Sequence, residues 1–394
     1  MIYWKGVNNL KIVHIAPNAT YNEGWGYQEN LLPKYQVIDG HNVTLVTTIM
    51  KHQNGKIIEI DESDYISEDG VRIIRRKYKK FINKKLTHLF SYIFIEDLLE
   101  ELKPDMIFFH GLVSASILDV IKYIKKNKEC FVVQDNHMDY RIGPPSKTFL
   151  QKCQWIWYRL LNKYSIKYVK KVYGVTPWRK EYAEEKFGIS PEKTDILVMG
   201  ADDDKIPFSK MPKLREDIRK SFNLTSKDFI IITGGKIDRK KNVHVLMEAI
   251  ATIKEENIKL LIFGEVDEEI KDIFKKWSSS KKIYILGWIP GDQVYKYFLA
   301  SDLAVFPGQH SVLWEQACGC GIPCMFKKWP GMHHVDVGGN SFFLNDAEDV
   351  EIIKNDIYRI YIDKERYKKM KKIAIEKGIP AFSYAQIARR AIEK

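Results

Sequence analysis

A short basic loop with two glycines, "GGKIDRKKN" at 234–242, has the clearest capacity for chemistry in this sequence. It follows the apolar run "DFIIIT" and precedes "VHVLMEAI", whose apolar residues have helical spacing. Gly235 can turn the backbone tightly, Asn242 can cap the following helix, and Lys236 and Lys241 place positive charge on both sides of the turn. Because helix N-termini bind phosphate groups, the loop favours a diphosphate ligand. A solvated basic turn is the alternative interpretation.

A second glycine-containing loop, "FPGQHSVLWEQACGCGIPC" at 306–324, offers a carboxylate. Ser311 is a candidate N-cap for a helix that runs through Val312 to Glu315. Backbone N–H groups at that helix start would point into the same cleft as the first loop. The Glu315 carboxylate could then accept hydrogen bonds from the two hydroxyls of a ribose. An ordinary surface glutamate is the alternative, although the apolar neighbours Trp314 and Ala317 disfavour it.

Apolar runs of strand length alternate with helix-length periodic stretches along almost the whole chain. The runs that we predict to be strands are 10–16, 42–48, 105–110, 130–135, 171–176, 194–199, 228–233, 258–263, 282–287, 302–307 and 322–326. Several are apolar at successive residues, which indicates strands covered on both faces. Strands that alternate with helices at this spacing predict an α/β fold with parallel sheets.

The alternation restarts near residue 228, after the polar stretch 200–227, which we interpret as a linker. A chain of 394 residues is too long for one ordinary core. We therefore predict two domains, 1–200 and 201–380. Parallel sheets bind ligands at the carboxyl ends of their strands, so two such sheets facing each other would form a cleft between the domains.

The composition is that of a folded protein in a reducing compartment. Apolar residues make up 45% of the chain and aromatic residues 12%, which predicts a packed core. No apolar stretch approaches the roughly 18 residues needed to cross a bilayer, and the N-terminus lacks the pattern of a signal peptide. Five cysteines without framework spacing fit the cytoplasm.

The formal net charge of +12 is concentrated in one segment. Eight Lys and Arg residues lie between Arg72 and Lys85, and no acid occurs between Asp69 and Glu96. Across 72–94 apolar residues recur at helical spacing, which is typical of a basic amphipathic helix on an anionic membrane surface. An ordinary domain helix with a solvated basic face is equally consistent. A nucleic-acid-binding protein, suggested by the net charge, would spread its cations over the chain, so we expect no nucleic-acid partner.

The order of the motifs resembles that of family 4 glycosyltransferases, which are retaining enzymes of the GT-B fold. The matching segments are "KIVHIAP", "DGHNVTLVTT", "KPDMIFFHG", "GGKIDRKKN", "LLIFGE", "IYILGW", "YKYFLASDLAVFP" and "EQACGCGIPC", and "ILVMGADDDKIPF" stands where the family has an Asn-Gly-Val-Asp hinge segment. The resemblance implies two Rossmann-like domains facing a cleft, with an acceptor-binding first domain and a donor-binding second domain. It also implies that a C-terminal helix at 381–394 packs back on the first domain.

The resemblance assigns roles to individual residues. Lys241 matches the lysine that binds the donor diphosphate, and Lys236 stands where the family usually has arginine. Glu315 matches the second glutamate of a Glu-x7-Glu motif, and Pro307 replaces the first. The candidate catalytic residues are His110, which matches a histidine that contacts the transferred sugar, Lys236 and Lys241. The candidate donor-binding residues are Gly24, Gly26, Gly235, His310, Ser311, Val312 and Glu315.

The chemistry implied is transfer of a sugar from a nucleotide diphosphate sugar to a saccharide acceptor, in the synthesis of a cell-surface glycan or glycolipid. His137 and Asp139 follow a predicted strand and are candidate acceptor contacts. If 72–94 lies on a membrane, the acceptor is lipid-linked and the protein is peripheral at the inner face. No cofactor or metal is expected, because the cysteines at 318–324 have an unusual spacing for zinc and "DDD" at 202–204 falls in the predicted linker.

Three alternatives remain open at this point. A sugar-nucleotide epimerase of the same fold would need paired acid and base residues, and no pair stands out. A basic nucleic-acid-binding protein is the non-enzymatic alternative. A degenerate transferase that binds sugar nucleotides without turnover is suggested by Pro307 at the first glutamate position.

Overall fold

The chain forms two compact units. A computed structural model describes residues 9–79, 90–141 and 148–393. The first unit comprises Met1–Val198 and Ile387–Lys394, and the second comprises Met199–Gln386. Each unit is built on its own sheet.

A mostly parallel sheet of eight strands forms the centre of the first unit. The strands of this unit are β1 (Lys11–Ala16), β2 (Asn42–Thr48), β3 (Met50–Gln53), β4 (Lys56–Glu59), β5 (Ser63–Ile66), β6 (Arg72–Arg76), β7 (Met106–Phe109), β8 (Phe131–Asn136), β9 (Lys171–Gly174) and β10 (Thr194–Ile196). The sheet order is β10-β9-β8-β7-β1-β2-β6-β5, and β3 and β4 form a separate antiparallel pair. Among the described residues, β5 is the one strand of the large sheet that pairs antiparallel with its neighbour. β7 is buried along its whole length, as expected for a strand covered on both faces.

The helices of the first unit begin and end at recognisable signals. They are α1 (Gln28–Ile38), α2 (Glu96–Leu102), α3 (Ile117–Lys126), α4 (Phe149–Ser165) and α5 (Pro177–Phe187). A capping box of Thr148 and Gln151 starts α4. Thr176 caps α5, and Gly188, with a φ of 69°, ends it.

The second unit contains a parallel sheet of six strands surrounded by helices. Its strands are β11 (Phe229–Gly234), β12 (Ile258–Phe263), β13 (Ile283–Gly287), β14 (Leu303–Phe306), β15 (Cys324–Lys327) and β16 (Ser341–Leu344), in the order β13-β12-β11-β14-β15-β16. Its helices are α6 (Met211–Ser221), α7 (Val243–Thr252), α8 (Lys271–Ser278), α9 (Gly291–Ala300), α10 (Leu313–Gly319), α11 (Val350–Ile362), α12 (Lys364–Ile373) and α13 (Ile379–Ala381), and α14 (Tyr384–Ala391) begins in this unit. The predicted α/β fold with two parallel sheets is confirmed.

The predicted linker at 200–227 is wrong, because this stretch is part of the second unit and contains α6. The Arg219 side chain on α6 is buried and donates to Asp302 at 2.7 Å and to backbone carbonyls, including that of Asp228. Arg215 also binds Asp302. A helix that directs two arginines toward a buried acid has a polar sequence. The composition of 200–227 therefore resembles that of a linker, although the stretch is folded.

The predicted basic helix at 72–94 is wrong for its first residues, which form β6; residues 80–89 lie outside the described part of the chain. Arg72 binds Asp64 at 2.7 Å and Arg76 binds Asp97 at 3.0 Å. Arg75 is buried and donates to backbone carbonyls of other elements. These arginines therefore bind partners within the first unit.

The last helix, α14, crosses the boundary between the units, since Gln386 belongs to the second unit and Ile387 to the first. Within the first unit, Arg389 donates to both oxygens of Asp39, at 2.9 and 2.7 Å, and Arg390 donates to a backbone carbonyl. Among the described residues, no helix is both long and apolar enough to cross a membrane.

Candidate functional site

The two glycine-containing loops of the second unit lie against each other, because β11 and β14 are neighbours in the sheet. The Gln309 N–H donates to the Lys240 carbonyl at 3.1 Å, and the Lys241 ammonium donates to the Gln309 carbonyl at 2.7 Å. A Cβ at Gly308 would lie 2.2 Å from the Lys241 Cα. Only glycine at 308 permits this backbone contact, which fixes Lys241 beside the second loop.

Asn242 is the N-cap residue of α7, as predicted, but its side chain does not cap the helix. Its Nδ2 donates instead to the carbonyls of Pro307 and Ala347, each at 3.1 Å. The predicted cap at Ser311 is wrong, since the N-cap residue of α10 is Val312 and no side chain caps that helix. The amide of Asn242, rather than a helix start, therefore fastens the two loops together.

The remaining residues of the basic loop have separate surroundings. Gly235 has a φ of +108°, and a Cβ there would lie 3.0 Å from a Leu313 methyl group. The Lys236 ammonium lies 3.2 Å from the Asp267 carboxylate, and both side chains reach the surface. A cavity of about 560 Å³ borders this loop, and its lining residues include Arg239, Lys240, Gln309, Lys327 and Trp329.

Glu315 is fully buried and lies between two histidines. We call these three residues, His310, Glu315 and His334, the carboxylate cluster. The Nε2 atoms of both imidazoles lie 2.7 Å from the same oxygen, Glu315 Oε1. Burial alone would raise the pKa of Glu315, but the two histidines outweigh it and hold that pKa well below its usual range. The second oxygen, Oε2, is buried and has no hydrogen-bond partner within the described residues.

The carboxylate cluster has the ligand types of a His₂Glu metal site, and its three ligand atoms lie within 4.8 Å of one another. The separations of 2.7 Å between nitrogen and oxygen are those of N–H···O hydrogen bonds. Ligand atoms at about 2.0–2.1 Å from a tetrahedral zinc ion would be about 3.3 Å apart. The geometry is therefore that of a carboxylate accepting two hydrogen bonds.

A chain of buried polar side chains surrounds His110 at the end of β7 in the first unit. His110 Nδ1 lies 2.7 Å from Asp135 Oδ2, and the Gly111 N–H donates to the other oxygen at 2.7 Å. His110 Nε2 lies 3.0 Å from His14 Nδ1, and His14 Nε2 lies 2.7 Å from Gln36 Oε1. Since an amide oxygen only accepts, His14 Nε2 carries the hydrogen of its contact with Gln36. The imidazole of His110 is thus held between His14 and the Asp135 carboxylate.

Burial strongly influences the pKa values of these hydrogen-bonded side chains. Burial, with the nearby charge of His110, lowers the pKa of His14 to about 3, so this ring is neutral. Burial opposes ionisation of Asp135, but His110 and His137 outweigh it and hold the pKa of Asp135 well below its usual range. Burial likewise opposes a charged His137, yet Asp135, whose oxygen lies 3.3 Å away, raises its pKa. His14, His110, Asp135 and His137 are therefore electrostatically linked.

The other candidate residues of the first unit differ in their accessibility. His137 is partly exposed beside Asp135. Asp139 is fully buried, and its carboxylate accepts from Arg141 at 3.0 Å and lies 3.5 Å from Arg179, so the prediction that it contacts an acceptor loses support. The glycine loop before α1 contains Gly24, with a φ of 74°, and Gly26.

This loop is fastened at one end. Asn22 donates to the His52 carbonyl at 2.7 Å and accepts from the His52 N–H at 2.8 Å. The prediction from sequence missed His14, Gln36, Asp135 and His334. A polar residue within an otherwise apolar run, as in "KIVHIA" and "CFVVQD", was the signal that could have found His14 and Asp135.

Comparison with known protein families finds a match within the second unit. Residues 215–377 match the family described as "Glycosyl transferases group 1". Both loops and the carboxylate cluster lie inside the matched residues.

Similarity to individual proteins covers more of the chain. Over 216 residues, the chain is 29% identical to a Campylobacter jejuni protein, N-acetylgalactosamine-N,N'-diacetylbacillosaminyl-diphospho-undecaprenol 4-alpha-N-acetylgalactosaminyltransferase. These residues are 53% of this chain and 55% of that protein. The chain spans about half the length of the curated relatives that it matches.

Two solved structures are similar over nearly the whole chain. A glycosyltransferase from Rickettsia africae has a TM-score of 0.69 at 15% identity and covers 98% of this chain and 97% of its own. Anabaena HepE, in a complex with UDP and glucose, has a TM-score of 0.62 at 15% identity, with coverage of 97% and 98%. These likenesses show that the fold is GT-B.

Proposed function

We propose that this chain is a retaining glycosyltransferase of family 4 that moves a hexosyl group from a nucleotide diphosphate sugar to a saccharide acceptor. The observation that carries the proposal is the direct contact between the Lys241 loop and the Gly308 loop inside a group 1 domain. Lys241 is held at that contact by its hydrogen bond to the Gln309 carbonyl. A cation fixed in place before the reaction stabilises a departing diphosphate without reorganisation.

Glu315 supports a site for the donor nucleoside in this proposal. Its Oε1 atom accepts from two histidines, whereas Oε2 is a buried acceptor without a hydrogen-bond partner among the described residues. A buried acceptor of this kind is costly unless a ligand supplies the donor. A ribose hydroxyl would satisfy it, and His310 and His334 would keep the carboxylate ionised and oriented.

In the first unit, His110 is proposed to contact the transferred sugar. The ring is positioned by Asp135 on one nitrogen and by His14 on the other. The ring is held by protein groups rather than by solvent, because the side chain is only 8% exposed. His137, which is partly exposed beside the same carboxylate, is the proposed contact with the acceptor. We further propose that transfer needs no metal and no enzyme nucleophile, so that the leaving phosphate oxygen takes the acceptor proton.

The acceptor is proposed to be a lipid-linked saccharide, in the synthesis of a cell-surface glycan or glycolipid at the cytoplasmic face of the membrane. The name of the Campylobacter jejuni relative, which acts on a diphospho-undecaprenol saccharide, supports this class. The Anabaena relative, bound to UDP and glucose, supports a nucleotide-sugar donor.

The decisive experiment begins with a thermal-shift screen of UDP- and GDP-sugars, followed by product analysis with lipid-linked saccharides. Lys241→Met is expected to lower kcat/KM by about 10²–10³, the typical effect of removing one group that stabilises developing charge. Lys254→Met is the matched control, because Lys254 is an exposed lysine of the same unit just beyond α7. Equal activity in the two variants would refute the role of Lys241.

Product chemistry tests the remaining parts. Retention at the anomeric carbon, read by NMR, is expected, and an inverted product would refute a retaining mechanism. A glycosyl–enzyme adduct detected by mass spectrometry would refute transfer without an enzyme nucleophile. Conversion of the donor to an epimeric nucleotide sugar without an acceptor would instead support an epimerase.

A further inference from the structure

The longest helix of the first unit, α4, presents an exposed apolar face. Phe149, Ile156, Leu160 and Tyr164 have 82%, 56%, 59% and 41% of their surface exposed. Cys153 is exposed as well. These five residues follow one another at intervals of three or four positions, so they form one stripe along the helix.

The exposed stripe belongs to a firmly anchored helix rather than to a frayed segment. The opposite side of α4 buries Tyr158 and Leu161 in the core of the first unit. Asn162 donates to the Leu112 carbonyl at 2.7 Å, and the capping box of Thr148 and Gln151 fixes the helix start. The apolar residues are therefore held in place at the surface. Apolar patches of this kind mark interaction sites.

The charged residues of α4 itself are all positive. Lys152, Arg159 and Lys163 are exposed and lie on one flank of it, seven and four residues apart. At the C-terminal end, Lys125 of the neighbouring helix α3 donates to the Tyr164 hydroxyl at 2.9 Å. The sequence has no Asp or Glu between positions 139 and 181. An apolar stripe flanked by cations is complementary to a surface that is apolar inside and anionic at its edge.

We propose that α4 docks on an anionic phospholipid bilayer. Its apolar stripe enters the boundary between headgroups and acyl chains, and its cations lie at the level of the phosphates. A second copy of this chain is disfavoured as the occupant, because two such faces would place like charges opposite each other. The proposed membrane contact is thus α4. Docking is measured without donor or acceptor, so its failure is distinguishable from a failure of the proposed glycosyl transfer.

Flotation with phospholipid vesicles tests the proposal. The purified protein is expected to float with vesicles that contain phosphatidylglycerol, about a hundredfold more strongly than with pure phosphatidylcholine, since each cation near an anionic surface contributes about fivefold. The charge variant K152Q/R159Q/K163Q is expected to lose this preference. The apolar variant I156E/L160E is expected to lose binding to both kinds of vesicle.

The matched control is I57E/I66E, which places the same charges on two other exposed isoleucines of the first unit, 58% and 65% exposed. It is expected to float like the unmodified protein, and unchanged melting of all variants establishes that they fold. Absence of the protein from floated vesicles would overturn the proposal. Equal losses of vesicle binding in I156E/L160E and I57E/I66E would overturn it as well. A solution dimer that I156E/L160E dissociates would also overturn it, in favour of a second copy.

Discussion

The buried imidazole of His14 is expected to make the stability of the first unit depend on pH between 7 and 5. Its pKa is lowered from 6.5 to about 3 by burial and by His110. Below pH 6.5 the unfolded chain binds a proton at this residue while the folded chain does not, so stability is complete above pH 6.5 and falls as the pH decreases toward 3. At 1.36 kcal/mol for each unit of pH, the loss from pH 7 to pH 5 is about 2 kcal/mol. His14 is fully buried, so solvent does not screen this effect.

Differential scanning calorimetry at pH 7 and pH 5 measures this contribution. A loss of about 2 kcal/mol lowers the Tm of a unit of this size by roughly 4–8 °C. His14→Gln removes the titrating group, so the difference in Tm between the two pH values should shrink by that amount. His333→Gln, which removes an exposed histidine, is the control and should leave the difference unchanged. If His14→Gln melts with the same pH dependence as the unmodified protein, the assignment of a neutral buried imidazole is refuted.

Three further predictions concern the second unit. Gly308→Ala places a Cβ 2.2 Å from the Lys241 Cα, so we expect the free energy of unfolding to fall by about 1–3 kcal/mol and nucleotide-sugar binding, measured by calorimetry, to weaken. The control Gly291→Ala, whose Cβ meets no atom within 4 Å, should preserve stability and binding. Equal effects of the two substitutions would count against the loop contact. Asp302→Asn leaves the buried guanidinium of Arg219 without its ionic partner, so the free energy of unfolding measured in urea should fall by on the order of 3 kcal/mol. No change in the unfolding midpoint would show that the pair is not buried. The carboxylate cluster should hold no zinc, because its separations are those of hydrogen bonds; stoichiometric zinc by mass spectrometry, with a Tm that falls after EDTA treatment, would contradict this.

The central strands could be predicted from the sequence because a strand covered on both faces is apolar at successive residues. This is the case for β12, whose predicted bounds agree with the structure. The predicted bounds of β2 agree as well, although it buries three threonines among its apolar residues. The strands β4 and β5 are largely exposed and have no such pattern. β6 misled the prediction because its arginines, interspersed with isoleucines, resemble a basic helix. Arg75 is buried against the carbonyls of Thr48 and Tyr21, which lie 27 and 54 residues away in sequence, and such partners are set by sheet order rather than by local pattern.

The candidate site was predictable where it lies on loops that follow strands. The contact between the loops of Lys241 and Gly308 follows from the adjacency of two parallel strands. The surroundings of individual side chains were not predictable. His14 and His110 meet across 96 residues of chain, and His334 reaches Glu315 from a different loop, 19 residues away. The burial of Glu315 between two imidazoles depends on these distant contacts.

The second unit interrupts the first, since residues on both sides of Met199–Gln386 belong to the first unit. The two ends of this insert are joined by backbone hydrogen bonds, from the Ala201 N–H to the Phe382 carbonyl at 2.8 Å and from the Tyr384 N–H to the Ala201 carbonyl at 3.2 Å. An insert with adjoining ends can be exchanged as a cassette. A hybrid protein made by a single crossover near residue 199 would take everything after that residue from another protein. Its first unit would then lack its own tail, Ile387–Lys394, and with it the hydrogen bonds from Arg389 to Asp39. Two crossovers would exchange the cassette and keep the native tail.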